Sequence, residues 1–238
     1  MTGDRETIEP HDSGLAARLN RLRAAVLGAN DGIVSTAATV IGVAGVTNTF
    51  APILVAGTAA VVGGSVSMAL GEYVSVSTQR DSQEALIEKE RQELRDDPAG
   101  ELDELAGLYA AKGVSPATAR QVALELTEHD ALAAHLSAEL NIDEVEVANP
   151  WHAAFASAAA FAAGAVLPLL AILLLPAGVR IPLTFVAVLV ALTITGAVSA
   201  QAGGSSRRRA ILRLIIGGAL AMAFTYLVGA LLGTAGVA

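Results

Sequence analysis

The strongest constraint on this chain is a set of apolar stretches, each long enough to cross the hydrocarbon core of a membrane. At 1.5 Å per residue, a helix of about 20 residues spans roughly 30 Å of hydrocarbon. Charged residues make up only 16% of the sequence, against about 25% in a soluble domain. The sequence therefore predicts an all-α membrane protein with five transmembrane helices, at about 24–46, 51–77, 153–175, 181–201 and 210–237.

A segment of different character lies between the second and third apolar stretches. Residues 79–149 contain 17 Asp/Glu and 6 Lys/Arg, whereas the rest of the chain carries a small positive net charge. Asp97-Pro98 and Ser115-Pro116 each place a proline directly after a residue favoured at helix N-caps. These breaks predict three helices, at about 79–95, 98–112 and 116–141. The predicted domains are therefore a tail with an amphipathic segment at 1–23, spans one and two at 24–78, an acidic helical domain at 79–149, and spans three to five at 150–238.

The arginines predict which side of the membrane each end of the chain faces. Arg18, Arg21 and Arg23 precede the first span, and residues 207–209 form an arginine triplet between the fourth and fifth spans. The two loops on the opposite side contain only Arg180. Because loops rich in Lys and Arg stay in the cytoplasm, the amino terminus and the acidic domain are predicted to be cytoplasmic.

Leucines recur at helical spacing in the segment before the first span, at positions 15, 19 and 22. With the arginines between them, they predict a short amphipathic helix on the membrane surface. The alternative is a simple lead-in to the first span.

Composition and missing motifs exclude several classes of protein. The absence of cysteine excludes disulfides, thiolate metal sites and cysteine nucleophiles. An acidic block beside a mildly basic apolar block argues against nucleic acid as a partner and in favour of cations. The chain has no Glu-x-x-His pair, phosphate-binding GxxxxGK[ST] loop, GxSxG elbow or HExxH motif. We therefore expect neither an enzyme nor an ATP-driven pump, and no prosthetic group.

Two carboxylates fall inside the apolar stretches. Asp31 lies within the first span and Glu72 near the end of the second. A carboxylate in a span costs a few kcal/mol or more, and such residues usually line a polar path. Met68 is one helical turn before Glu72 and offers a soft thioether to a transition metal. The alternatives are a hydrated or arginine-paired Asp31 and a Met68 that only fills space.

The acidic domain contains carboxylates at spacings that place them on one helix face. The pairs are Glu90 with Glu93, Glu101 with Glu104, and His135 with Glu139. Carboxylates with one imidazole suit Mn²⁺, Fe²⁺ or Zn²⁺, with Ca²⁺ and Mg²⁺ as competitors. The alternative is a solvated helix surface, and spacing alone does not choose the ligands because other glutamates are available at positions 84, 88, 125 and 128.

Two segments closely resemble the signature segments of the vacuolar iron transporter family. Residues 27–35 read LGANDGIVS and residues 67–81 read SMALGEYVSVSTQRD. The resemblance extends over nearly the whole chain from about Arg21, including the order of two spans, an acidic helical block and three spans.

The resemblance implies a homodimeric exporter with five spans that moves Fe²⁺, and often Mn²⁺, out of the cytosol in exchange for protons. Asp31, Met68 and Glu72 match residues that line the path in that family. Plant members carry methionines just before the last metal-binding glutamate, whereas residues 135–138 here read His-Leu-Ser-Ala. The glutamates that match the family's cytoplasmic metal site are Glu90, Glu93, Glu101, Glu104 and Glu139.

Two other functions are compatible with the residues alone. A membrane-anchored metal buffer or sensor would bind metal without moving it, and a structural membrane protein would use its acidic helices to dock a basic partner. Asp31 in the first span argues against both, because neither function needs it. The alanine-rich composition favours the plasma membrane of a bacterium.

Overall fold

The computed structural model describes residues 14–141 and 149–235, with the side chains from residue 23 onward. These residues are almost entirely helical and contain no strand. The helices are α1 (Gly14–Val46), α2 (Phe50–Asp96), α3 (Pro98–Ala111), α4 (Pro116–His135), a π-helical turn (Leu136–Leu140), α5 (Pro150–Leu174), α6 (Arg180–Ala202) and α7 (Arg207–Thr234).

Five of these helices are long and apolar enough to cross a membrane, namely α1 from Arg23 onward, α2, α5, α6 and α7. The predictions of an all-α chain and of five candidate membrane helices are therefore confirmed. The backbone of α1 is continuous from Gly14 into the first span. The leucines and arginines predicted to form an amphipathic face at positions 15–22 lie outside the described side chains.

The chain divides into two compact units. One comprises the chain up to Tyr73 and from Trp151 onward, and is called here the membrane unit; the other is Val74–Pro150, called here the acidic unit.

The core of the membrane unit is built around α1. Val40 and Ile41 of this helix are completely buried, together with Leu192 of α6 and Met222 of α7. Glycines allow the helix backbones to approach closely, as small residues do in membrane proteins generally. A Cβ atom at Gly229 of α7 would overlap the carbonyl oxygen of Gly42 in α1.

We expect Gly229→Ala to destabilise the membrane unit because its methyl group would push α7 away from α1. Overpacking of this kind costs about 1–3 kcal/mol. Gly217→Ala is the matched control on the same helix, since a Cβ atom there meets nothing within 4 Å. The control should be neutral or up to about 1 kcal/mol more stable, as alanine favours helix. Thermal unfolding of both variants in detergent tests the difference, and equal midpoints would contradict the close packing.

The acidic unit is organised by two capped helices. Asp97 accepts a hydrogen bond from the backbone N–H of Gly100 at the start of α3, and Ser115 accepts one from Thr118 at the start of α4. Leu105 and Ala123 are completely buried between these helices. The two predicted helix starts coincide with these caps.

The prediction of one regular helix at 116–141, the third of the acidic unit, was wrong. Asp130 has extended backbone angles (φ −163°, ψ 96°), and its carboxylate accepts a hydrogen bond from the N–H of Ala133. Asp130 therefore breaks the helix and caps the turn that restarts after it. The chain then widens into the π-helical turn, which ends at Asn141 in the left-handed conformation.

Candidate metal site

Four side chains of the acidic unit converge on one point. The imidazole Nδ1 of His135 lies 2.9 Å from a carboxylate oxygen of Glu90, 3.5 Å from one of Glu101 and 4.0 Å from one of Glu139. Glu90 comes from α2, Glu101 from α3, His135 from the end of α4 and Glu139 from the π-helical turn. The cluster therefore depends on the tertiary fold of the unit.

Three of these residues are close enough to share one ion. One ligand atom each from Glu90, His135 and Glu139 lies within 4.8 Å of the other two. Glu101 approaches His135 at the edge of this group. In the part of the chain that the structure describes, no other group of three or more Asp, Glu or His side chains has this geometry.

Local structure explains how His135 and Glu139 reach the cluster. The break at Asp130 restarts the helix one turn before His135, and Leu136 is completely buried beside it. The π-helical turn then carries Glu139. Single π-helical turns are rare and occur frequently at functional sites.

The centre of the cluster is buried and its polar atoms are unsatisfied. The side chains of His135 and Glu90 are 1% and 4% exposed, whereas that of Glu139 is 30% exposed. The Nε2 atom of His135 has no hydrogen-bond partner in the described structure, and Nδ1 of His135 and Oε1 of Glu90, although 2.9 Å apart, are not in hydrogen-bonding geometry. Buried polar atoms normally have partners, so these atoms fit a site whose partner is a cation.

Burial and neighbouring charges shift the acid–base behaviour of the cluster. Burial, followed by the charges of Glu139 and Glu101, raises the pKa of Glu90 from its ordinary 4.5 to about 7. Burial and the charge of Glu104 also raise the pKa of Glu101, although His135 opposes that shift. Both carboxyls thus hold protons more tightly than a free glutamate, and a bound cation would displace those protons.

We expect metal affinity at the cluster to rise with pH through about 7. Below this pH the Glu90 carboxyl is largely protonated, and a metal must displace that proton at a cost of up to about tenfold in affinity per pH unit. Titration of the full-length protein with Mn²⁺ between pH 5.5 and 8 measures this dependence. The affinity of the Glu90→Gln protein for Mn²⁺ should depend less steeply on pH. An equally steep dependence in both proteins would contradict the role of Glu90 as the group whose proton the metal displaces.

Two predicted glutamates of this site, Glu93 and Glu104, lie outside the cluster of four side chains around His135. Glu93 is half-buried, and both of its carboxylate oxygens lie 2.8 Å from the ammonium group of Lys89. Glu104 is exposed. Both contribute negative charge that raises the pKa of Glu90. The structure therefore places one glutamate of each of the two predicted glutamate pairs near His135 and leaves the other at the periphery.

The predicted path residues lie in the membrane unit. Asp31 is half-buried in α1, and the hydroxyl of Ser35 donates a hydrogen bond of 2.5 Å to its carboxylate. Met68 and Glu72 are half-buried in α2. Ser35 is a partner of Asp31 that was not predicted, although its position four residues later in the helix was a sufficient signal.

The donor set of the cluster determines which cations it suits. Two carboxylates and one neutral imidazole provide one nitrogen and at least two oxygen ligands, a combination that favours Fe²⁺, Mn²⁺ or Zn²⁺ over Ca²⁺ and Mg²⁺. Glu101 is available as a further oxygen ligand. Within the described acidic unit, soft sulfur ligands are absent from this group.

The sequence is similar to those of known proteins over most of its length. The model of the VIT family matches residues 22–230. A vacuolar iron transporter of Acanthamoeba castellanii is 43% identical over 228 residues, which cover 93% of this chain and 82% of the relative. Vacuolar iron transporter homolog 1 of Oryza sativa subsp. japonica is 38% identical (96% and 82% covered), and homolog 2 of Arabidopsis thaliana is 34% identical (91% and 86% covered). The chain therefore belongs to the VIT family, a family of transporters rather than of enzymes.

Proposed function

We propose that this protein moves Fe²⁺ out of the cytosol in exchange for protons, with Mn²⁺ as a second cargo. The observation that carries the proposal is the convergence of Glu90, His135 and Glu139 in a chain with five candidate membrane helices. The names of its relatives as vacuolar iron transporters support iron as the cargo.

The proposed pathway begins at the acidic unit. The cluster collects Fe²⁺ from the cytosol, since its donors are buried close together and its surroundings are strongly negative. The ion is then taken up by Met68 and Glu72 of α2, and afterwards by Asp31 of α1. The three residues provide a thioether and two carboxylates, which bind Fe²⁺ but release it when the carboxylates are protonated.

Protons move in the opposite direction through the same carboxylates. A carboxylate that binds a metal ion releases it on protonation, so Asp31 and Glu72 exchange metal for protons arriving from the far side. The Ser35 hydroxyl, which donates to Asp31, holds this carboxylate in one orientation.

We further propose how the protein is oriented in the membrane and how it assembles. The amino terminus and the acidic unit face the cytosol, as the arginines before the first predicted span and those at 207–209 predict. The protein acts as a homodimer in the plasma membrane of a bacterium, with the path at the interface of the two copies. The cytosolic cluster also binds Zn²⁺.

A metal buffer or sensor is the second candidate function. It is favoured by one observation, namely that the donors of the cluster all come from the acidic unit and need no residue of the membrane unit. Such a protein would bind Fe²⁺ without moving it.

Metal flux distinguishes the two functions. Purified protein is reconstituted into liposomes containing a trapped Fe²⁺ indicator, and Fe²⁺ is added outside under reducing conditions, with protein-free liposomes as the control. Saturable entry of Fe²⁺ above the control supports transport. Metal binding by the same protein in detergent, without entry into liposomes, would replace transport by buffering or sensing.

A further inference from the structure

A cavity of about 420 Å³ opens in the membrane unit at a point where three candidate spans end. Arg23 begins the first candidate span, Ala202 ends the fourth and Arg207 begins the fifth. The cavity is lined by residues of α1, α6 and α7 and of the loop between α6 and α7. Span ends lie where the hydrocarbon core gives way to lipid headgroups, so the cavity extends from headgroup level about two helical turns into the membrane, as far as Asn30 and Leu214.

The lining has one polar side and one apolar side. Arg23, Leu27 and Asn30 are spaced by four and three residues, which places them on one face of α1. Ser205 adds a hydroxyl from the loop, and Leu214 adds an apolar surface from α7. The Oδ1 atom of Asn30 is buried and has no hydrogen bond in the described structure.

One arginine, Arg23, lines this cavity, and a second, Arg207, begins the helix that contributes Leu214 to the lining. Arg207 is seven residues before Leu214, so it projects from the same face of α7. Neither Arg23 nor any arginine of the triplet 207–209 forms an ion pair with the residues that the structure describes. The N-cap residue of α7, Ser206, makes no side-chain hydrogen bond to the helix, which leaves its first N–H groups available to an anion.

We infer that this cavity binds the headgroup of an anionic phospholipid. The phosphate lies between Arg23, Arg207 and the amino end of α7, and an acyl chain lies against Leu27 and Leu214. Leu27 is 53% exposed, so it offers apolar surface that a lipid chain covers and a free phosphate does not. Basic pockets between membrane helices recognise anionic headgroups by this combination of charge and apolar contact.

Native mass spectrometry of the full-length protein tests the inference. Delipidated protein in detergent is incubated with phosphatidylglycerol, with phosphatidylcholine or with inorganic phosphate, and the bound lipid is read from the mass. We expect the wild type to retain phosphatidylglycerol in preference to phosphatidylcholine, and inorganic phosphate not to displace it. Equal retention of both lipids would overturn the inference, and displacement by inorganic phosphate would show a soluble-anion site instead.

The double variant Arg23→Gln with Arg207→Gln should retain phosphatidylglycerol about thirtyfold more weakly, the loss expected for two arginines at the membrane surface. Arg209→Gln is the matched control, because two residues along a helix place its side chain about 200° around α7 from Arg207. Size-exclusion chromatography establishes that each variant is folded. Undiminished retention by the double variant, or an equal loss in the control, would overturn the assignment to this cavity.

Discussion

The Asp31→Asn protein is expected to lose metal flux completely while keeping its fold and its metal binding in the acidic unit. Asparagine has the size of aspartate and can still accept the hydrogen bond that Ser35 donates to the carboxylate. It has no negative charge and binds no proton, so it can neither hold Fe²⁺ nor exchange it for a proton. We expect the rate of Fe²⁺ entry into liposomes to fall to that of protein-free vesicles.

Asp81→Asn is the matched control for this experiment. Asp81 is an exposed residue of α2, in the acidic unit, and undergoes the same chemical change. Its flux should equal that of the wild type. Flux by Asp31→Asn at the wild-type rate would show that Asp31 lies off the path.

The Glu90→Gln protein is expected to bind metal at least about a hundredfold more weakly in the acidic unit. Glu90 supplies the least exposed carboxylate of the cluster, 2.9 Å from His135. Removing even a hydrogen-bond partner of a metal ligand costs 10–100-fold in affinity in many sites, and loss of a ligand costs at least as much. Mn²⁺ titration of the full-length protein at pH 8 measures the loss, and Glu128→Gln, at an exposed position of α4, serves as the control.

The same substitution should make the metal-free protein more stable at pH 8. Burial raises the pKa of Glu90 to about 7 in the folded protein, above its ordinary 4.5. The stability that this group contributes is therefore present below pH 4.5 and is lost as the pH rises through 7. Above pH 7 the buried, ionised carboxylate destabilises the folded protein, and substitution by glutamine removes this destabilisation. A lower midpoint of thermal unfolding for Glu90→Gln than for Glu128→Gln at pH 8 would contradict this reading.

Hydropathy and helix caps predict most of the architecture because both are local properties. The five apolar stretches predicted every end of the five candidate membrane helices to within three residues except the end of α2, which continues without a break to Asp96. Asp97 and Ser115 predicted the starts of α3 and α4, since the side chain and the N–H group it caps are neighbours in the sequence.

The composition of the cluster was not predictable from spacing. Spacing places Glu90 and Glu93 on one face of a helix, but the packing of α2, α3 and α4 decides which of them meets His135. The break at Asp130 was also missed, because aspartate is tolerated inside helices as well as at their starts. The π-helical turn that carries Glu139 has no sequence signal as strong as the helix caps at Asp97 and Ser115.

The close approach of helices in the membrane unit is a third feature that the sequence alone did not specify. The chain contains 23 glycines, and their positions along α7 do not show which of them face α1. The structure separates Gly229, which lies against Gly42, from Gly217, where a methyl group would meet nothing. Which residues pack against a glycine depends on the tertiary fold. These neighbours decide whether replacing that glycine by alanine stabilises or destabilises the protein.

Proton-coupled iron flux is the most direct test of the proposed function. Wild-type protein and Asp31→Asn are reconstituted into liposomes that contain both an Fe²⁺ indicator and a pH indicator, and Fe²⁺ entry is recorded with and without an acidic interior. Exchange predicts that an acidic interior accelerates Fe²⁺ entry, that protons leave as Fe²⁺ enters, and that both signals vanish in Asp31→Asn. Fe²⁺ entry that is indifferent to the pH gradient and unaccompanied by proton movement would contradict the exchange mechanism.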